Sequence, residues 1–223
     1  GSGTYGFLYE RHATGMTCAD VPVVGLPPSL SGLTIGLVTD IHRSRWVSGE
    51  DVQHAVQMLT AARPDLVVLG GDYVTWGDRR YVHPAAESLR GLTAPHGVFA
   101  ILGNHDYGIN WSSGRVASNV EQLLMAAGVD VLRNRHVTVA GLQFIGLDDF
   151  WGPRFAPGPT LNAADLSIPS LVLCHNPDVC DLPVWGRFEG WILAGHTHGG
   201  QCKPPFLPPP LLPRSLCCRR LPI

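Results

Sequence analysis

The stretch Val98–Tyr107 reads VFAILGNHDY. The apolar run Val98–Leu102 fits a buried strand, Gly103 ends it, and Asn104, His105 and Asp106 follow without a spacer. A turn needs only the glycine and at most the asparagine. An imidazole and a carboxylate placed there are side chains that ligate metals and move protons. In α/β sheets, functional groups gather at the carboxyl ends of strands. What ends each of the other apolar runs is therefore informative.

LTIGLVT (33–39) ends in Asp40-Ile41-His42, and DLVVLGG (65–71) ends in Asp72. SLVLC (170–174) ends in His175, and GWILAG (190–195) ends in His196-Thr197-His198. Between the first runs lie helical patterns. Ser48–Asp51 reads as a capping box, with Val52, Ala55, Val56 and Leu59 following at helical spacing and Arg63-Pro64 ending the helix. A short helix is expected over Ala85–Leu92 and a longer one over Val116–Ala127, with Val120, Leu123, Leu124 and Ala127 on one face. Further strands are expected at Val129–Leu132, Val137–Ala140 and Leu142–Leu147. Alternation of strand and helix predicts βαβ units and a largely parallel sheet first, with hairpin-like pairing later.

Composition narrows the function classes. The chain has 223 residues, 45% apolar and only 15% charged, with a net charge of −2. No basic field draws in nucleic acid, which weighs against a general nuclease. Six cysteines form no C-x-x-C pair and match no zinc motif, so Cys174 reads as a small buried residue. No run of 18 apolar residues and no signal peptide is visible. Gly1-Ser2-Gly3 reads as an artificial lead, compatible with a lost upstream targeting or membrane segment. The expected organisation is an irregular lead-in over 1–30, one domain over 31–202, and a proline-rich arm over 203–223. The arm, KPPFLPPPLLP at 203–213, suits a packed terminal segment or, through its apolar residues, peripheral membrane contact.

Asp40, His42, Asp72, Asn104, His175, His196 and His198 are too many ligands for one tetrahedral zinc. They suit two divalent ions about 3.5–4 Å apart around a shared carboxylate. Two aspartates leave such a pair an excess positive charge that attracts phosphate. Imidazole, carboxylate and amide without thiolate favour Mn, Fe, Zn, Co or Ni. The remaining histidines, His12, His54, His83, His96 and His136, fall outside the pattern.

The ordered series D-x-H, G-D, G-N-H-D, H and G-H-x-H, from Asp40 to His198, resembles the calcineurin-like metallophosphoesterase family. The resemblance implies an α/β/β/α sandwich, two stacked mixed sheets flanked by helices. It implies that Asp40, His42 and His198 hold one metal, that Asn104, His175 and His196 hold the other, and that Asp72 bridges them. Manganese is the preferred ion. His105 is then an acid facing the leaving group, and Asp106 orients His105 or a ligand imidazole.

GDYVTWG (71–77) departs at Thr75 and Trp76 from the GDYVDRG of phosphoprotein phosphatases, which argues against a protein phosphatase. GHTHGGQ (195–201) is similar to a bacterial, often membrane-anchored phosphodiesterase branch. The expected activity is hydrolysis of a small or lipid-linked phosphodiester. The alternatives are a UDP-2,3-diacylglucosamine-type pyrophosphatase and a phosphomonoesterase; a non-catalytic scaffold would have lost ligands. Family members usually continue past G-H-x-H, so the ending RSLCCRRLPI raises the expectation of a truncation or frame change. Trp46, Trp76, Tyr107, Trp111, Phe150 and Trp151 read equally as a substrate wall or as loop anchors. Nothing in the sequence sets the oligomeric state.

Overall fold

The computed structural model describes residues 14–198. The proline-rich arm, His12, Cys202, Cys217 and Cys218 lie outside them.

Four strands, β1 (Ile35–Val38), β2 (Leu66–Leu69), β3 (Val98–Ala100) and β4 (Asp130–Val131), form one sheet in chain order, every pair parallel. Three helices make the crossovers: α1 (Gly49–Ala61), α2 (Arg79–Leu89) and α3 (Gly114–Ala126). The second sheet holds β5 (Arg135–Val139), β6 (Leu142–Gly146), β7 (Ser170–Leu173) and β8 (Trp191–Leu193). There β5 and β6 pair antiparallel as a hairpin, while β6, β7 and β8 are parallel. Of the two mixed sheets expected, the first is purely parallel and the second carries the antiparallel pair.

The period-2 alternation of strand side chains sorts the core into layers. Val67 and Leu69 of β2 and Val98 and Ala100 of β3 face the helices, against Val52, Leu59, Val82, Ala85, Leu89, Val120 and Leu124. Leu66, Val68 and Phe99 point the other way and meet Leu142, Phe144, Leu171 and Leu173 of the second sheet. Phe99 and Phe144 stack across that seam with ring centroids 5.9 Å apart. Ile145 and Val172, on the far face of the second sheet, pack under α4 (Pro157–Ala163) and beside Val179, Trp185 and Phe188. The layering is the expected α/β/β/α sandwich.

Local chemistry explains most boundaries. Ser48 caps α1 reciprocally: its Oγ accepts from the Asp51 N–H at 3.1 Å, and its own N–H donates to Asp51 Oδ2 at 2.8 Å. Two readings need correction. The second helix begins at Arg79, not Ala85, because Asp78 caps it by accepting from the Arg80 N–H. Pro84 inside it forfeits one bond, but burial of Val82, Ala85, Ala86 and Leu89 outweighs that loss. The sequence reading also passed over α4. Its Pro157 and Pro159 suggest a loop, yet prolines in a first turn give up only N–H groups that have no intrahelical partner.

One buried cluster ties the loops of the first sheet to the second. Arg133, with 7% of its side chain exposed, donates to Asp148 Oδ2 at 3.0 Å and to Glu121 Oε2 at 2.6 Å. It also donates to the Tyr107 hydroxyl at 2.7 Å, and that hydroxyl donates to Asp148. A buried carboxylate stripped of its cation is costly. Arg133→Ala should therefore destabilise the protein by about 3–5 kcal/mol, measured by chemical denaturation.

Candidate metal centre

The carboxyl ends of β1, β2, β3, β7 and β8 bring the seven sequence-predicted ligands into one cluster. Three overlapping groups of metal-competent atoms result: Asp40–His42–His198, His42–Asp72–His105 and Asp72–His175–His196, with ligand atoms in each within 4.8 Å of one another. Asn104 joins through its Oδ1, 3.0 Å from His196 Nδ1. Among the described residues, His54, His83, His96 and His136 stay outside these groups.

The backbone is bent to achieve this. Asp40, His42, Asp72, His196 and His198 all have positive φ, between 47° and 69°. Left-handed backbone costs non-glycine residues roughly 1–2 kcal/mol each, and such strain concentrates at functional sites. Glycines let the strand ends close in. A Cβ on Gly103 would lie 2.2 Å from Asp72 Oδ1, and one on Gly195 would lie 2.6 Å from Asp40 Oδ2.

Asp72 sits at the middle. Its Oδ1 accepts from the His105 N–H at 2.8 Å. Its Oδ2 lies 3.1 Å from His175 Nε2 and 3.4 Å from His42 Nε2. Asp40 is aimed by the His196 N–H, 3.0 Å from both its oxygens, and by the Thr39 hydroxyl at 2.9 Å. His175 donates from Nδ1 to the Gly70 carbonyl at 2.7 Å, which turns Nε2 toward the carboxylates. That Nε2 is fully buried, with Asp72 Oδ2 and, at 3.9 Å, Asp40 Oδ1 as its carboxylate neighbours.

Titration follows the same geometry. Burial works against charge on His175, but the Asp72 and Asp40 carboxylates outweigh it and push the imidazole up to about 10. Burial would raise Asp72, yet the neighbouring His175, and then His42, hold it down at about 2. Burial lowers His42 to about 4 and also lowers His196, so both present lone pairs at neutral pH. Among the described residues, the ion pairs of Asp40 and Asp72 are all with histidines. The donor set thus demands positive charge at its centre and offers imidazole and carboxylate lone pairs to meet it, which fits divalent cations.

The sequence model of the calcineurin-like phosphoesterase family matches residues 33–200. The chain belongs to the calcineurin-like phosphoesterases. It is 32% identical over 182 residues to Phosphodiesterase YaeI of Escherichia coli, covering 79% of this chain and 64% of that protein. It is 29% identical over 218 residues to a transmembrane protein with metallophosphoesterase domain of Danio rerio, covering 90% and 48%. It is 26% identical over 224 residues to the UDP-2,3-diacylglucosamine pyrophosphatase LpxG of Chlamydia trachomatis, covering 79% and 67%. The chain thus spans about two thirds of the Escherichia coli relative and half of the Danio rerio one. Relatives outside bacteria mean that resemblance to a bacterial branch does not by itself assign a bacterial source. Calcineurin-like phosphoesterases use divalent metals, and the cluster around Asp72 is where this member can hold them. No described helix is long and apolar enough to cross a membrane.

One residue stands elsewhere than the sequence implied, and one open alternative is decided. Asp106 is fully buried, and its carboxylate accepts from the N–H groups of Asp72, Tyr73 and Gly103, each at 2.9 Å. Those bonds, rather than His105 or a ligand imidazole, occupy both its oxygens. It locks the loop after β2 to the loop after β3. Tyr107 is likewise buried against Arg133 and Asp148, an anchor and not a crevice wall. Phe150 packs on Phe155, away from the cluster. Arg43 uses Nη1 to bind the Ser44 and Val47 carbonyls. Asp148 and Asp149 went unremarked in the sequence, although paired aspartates after the apolar run Leu142–Leu147 repeat the strand-end signal.

Asp106→Ala should strand three buried N–H donors, each worth about 1–3 kcal/mol when unsatisfied. Hydrogen exchange at the Asp72, Tyr73 and Gly103 amides should accelerate first, ahead of amides in β6 and β7.

Proposed function

We propose that this chain hydrolyses phosphodiesters with two divalent ions, manganese foremost, held in the Asp72 cluster. Asp40, His42 and His198 take one ion, Asn104, His175 and His196 the other, and Asp72 both. The observation that carries the reading is the convergence of these side chains around Asp72 Oδ2 and the buried His175 Nε2, with histidines as the ion-pair partners of the two carboxylates among the described residues. Two divalent ions bound there supply charge for the phosphoryl oxygens and bring a water molecule's pKa toward neutrality.

The protein's own groups do the rest. The Trp76 N–H donates to His105 Nδ1 at 3.0 Å, so the neutral ring carries its proton on Nε2. Burial lowers His105 and favours that neutral form. Its Nε2–H can donate a hydrogen bond to the oxygen of a departing alcohol and so lighten the charge that develops there. Asp72 Oδ1 is held by the His105 N–H, so acid and bridging carboxylate move as one unit. Thr75, where protein phosphatases carry aspartate, lies 3.3 Å from His42 Nδ1 and supports that ring instead.

A second reading, cleavage of the pyrophosphate of a lipid-linked nucleotide sugar, is favoured by the likeness to the Chlamydia trachomatis protein. Turnover of UDP-2,3-diacylglucosamine against bis(p-nitrophenyl) phosphate separates the two.

Protein reconstituted with Mn²⁺ should hydrolyse bis(p-nitrophenyl) phosphate, and EDTA-treated protein should not; equal rates in both would refute the proposal. His105→Ala should keep both ions by elemental analysis and lose about 10²–10⁴ in kcat. Loss of an ion instead would make His105 a ligand.

A further inference from the structure

Exposed large apolar side chains gather on the loops that carry the metal-competent residues. Trp76 after β2 is 62% exposed, and Trp111 after β3 and Trp151 after β6 are 37% and 38% exposed. Exposed aromatic area of this size calls for a partner. Trp76 and Trp111 also hold φ near 50° and 53°, a conformation a bulky residue adopts only when its surroundings impose it. A ring that merely anchors a loop is buried, as Tyr107 is. Trp76 and Trp111 are thus exposed at the cost of backbone strain, and Trp151 is exposed beside Trp111.

Their contacts divide them into two groups. Trp76 lies parallel to His105, 12° between planes and 6.3 Å between centroids, and His105 meets His42 edge-on at 4.7 Å. Trp151 meets His196 edge-on at 4.6 Å, and His196 meets His175 at 5.3 Å. Trp111 packs on Trp151 with centroids 4.6 Å apart. Asp72 joins the two chains of rings through His42 and His175. Each flank of the cluster therefore ends in indole. Trp151 is further fixed by its N–H, which donates to Asp149 Oδ1 at 2.9 Å, a carboxylate fully buried and otherwise without a hydrogen bond at Oδ2.

We propose that these flanks are the two substituent subsites of a phosphodiester, and that the substrate class is a phosphodiester with a planar aromatic group, aryl or nucleobase, on each ester oxygen. The proposal rests on the hydrolytic reading above. His105 serves the oxygen that leaves, so the leaving substituent stacks on Trp76. The retained substituent stacks on the Trp111–Trp151 pair. A monoester has no retained substituent and leaves that pair unused.

The test compares bis(p-nitrophenyl) phosphate with p-nitrophenyl phosphate, which share a leaving group, on manganese-loaded protein. Trp111→Ala and Trp151→Ala should raise KM for the diester about three- to tenfold more than for the monoester, the size of an aromatic contact. Trp151→Phe should restore the ratio and Trp151→Leu should not. Trp76→Ala should raise KM for both esters by the same factor. Metal content should stay at the wild-type value throughout. An unchanged ratio in both alanine variants, with wild type active, overturns this proposal and spares the hydrolytic one. Loss of metal in Trp151→Ala together with an unchanged ratio in Trp111→Ala makes the pair a support for His196 and also overturns it. Wild type that turns over neither ester removes both readings.

Discussion

Asp72 is buried and Asp40 half-buried, among the described residues their ion-pair partners are histidines, and the rest of the site follows from that. Charge removed from water must be matched nearby or neutralised. Lysine or arginine would match it permanently and close the site. Imidazoles match it conditionally, by a proton or by sharing a cation. The rise of His175 to about 10 against its own burial measures how strongly the two carboxylates call for positive charge. An anionic phosphoester reaching this cluster would meet the cations that answer that call.

Keeping carboxylates so close to several imidazoles requires rigid loops, and the fold supplies them in layers. The strand-end loops after β1 and β2 are zipped together by backbone bonds from Asp40 to Gly71, His42 to Asp72 and Arg43 to Tyr73. Asp106 then binds three amides across the loops after β2 and β3. Arg133 and Asp148 clamp Tyr107, two residues past His105, from the side of the second sheet. Left-handed backbone at five site residues is tolerated because these bonds leave no alternative path. His105, Asp72 and the exposed indoles thus rest on one scaffold.

Much of this was legible in the chain. LVVLGGD, VFAILGNHD and WILAGHTH each show a strand, a glycine and a metal-competent side chain in order, because parallel sheets place functional groups at strand ends and glycine permits close approach. The capping box at Ser48 and the helix face of Val120 and Leu124 were equally plain, since both are local patterns. What went unread depends on partners far away in sequence. Asp106 looked like a relay because it adjoins His105, but its partners Asp72 and Tyr73 are more than thirty residues distant. Tyr107 read equally as a wall or an anchor because it sits in a loop; Arg133 and Asp148 bury it and decide for the anchor. The helix at Pro157–Ala163 was hidden because its core-facing Leu161 counts only once Val172 and Ile145 lie beneath it.

The division has a physical basis. Residue type and spacing determined which atoms can ligate and which strands end in them, since these depend on local periodicity and on side-chain chemistry, while the order of the layers came from the family resemblance. Only the tertiary structure decided which neighbours in sequence face the cluster and which face the interior. At a strand end a single residue of rotation in the turn sends one side chain to the metal-competent centre and the next to the backbone. His105 and Asp106 are adjacent in the chain and part company there, one presenting Nε2 to the crevice and the other binding amides beneath it, because the turn Asn104–Tyr107 points successive side chains in different directions.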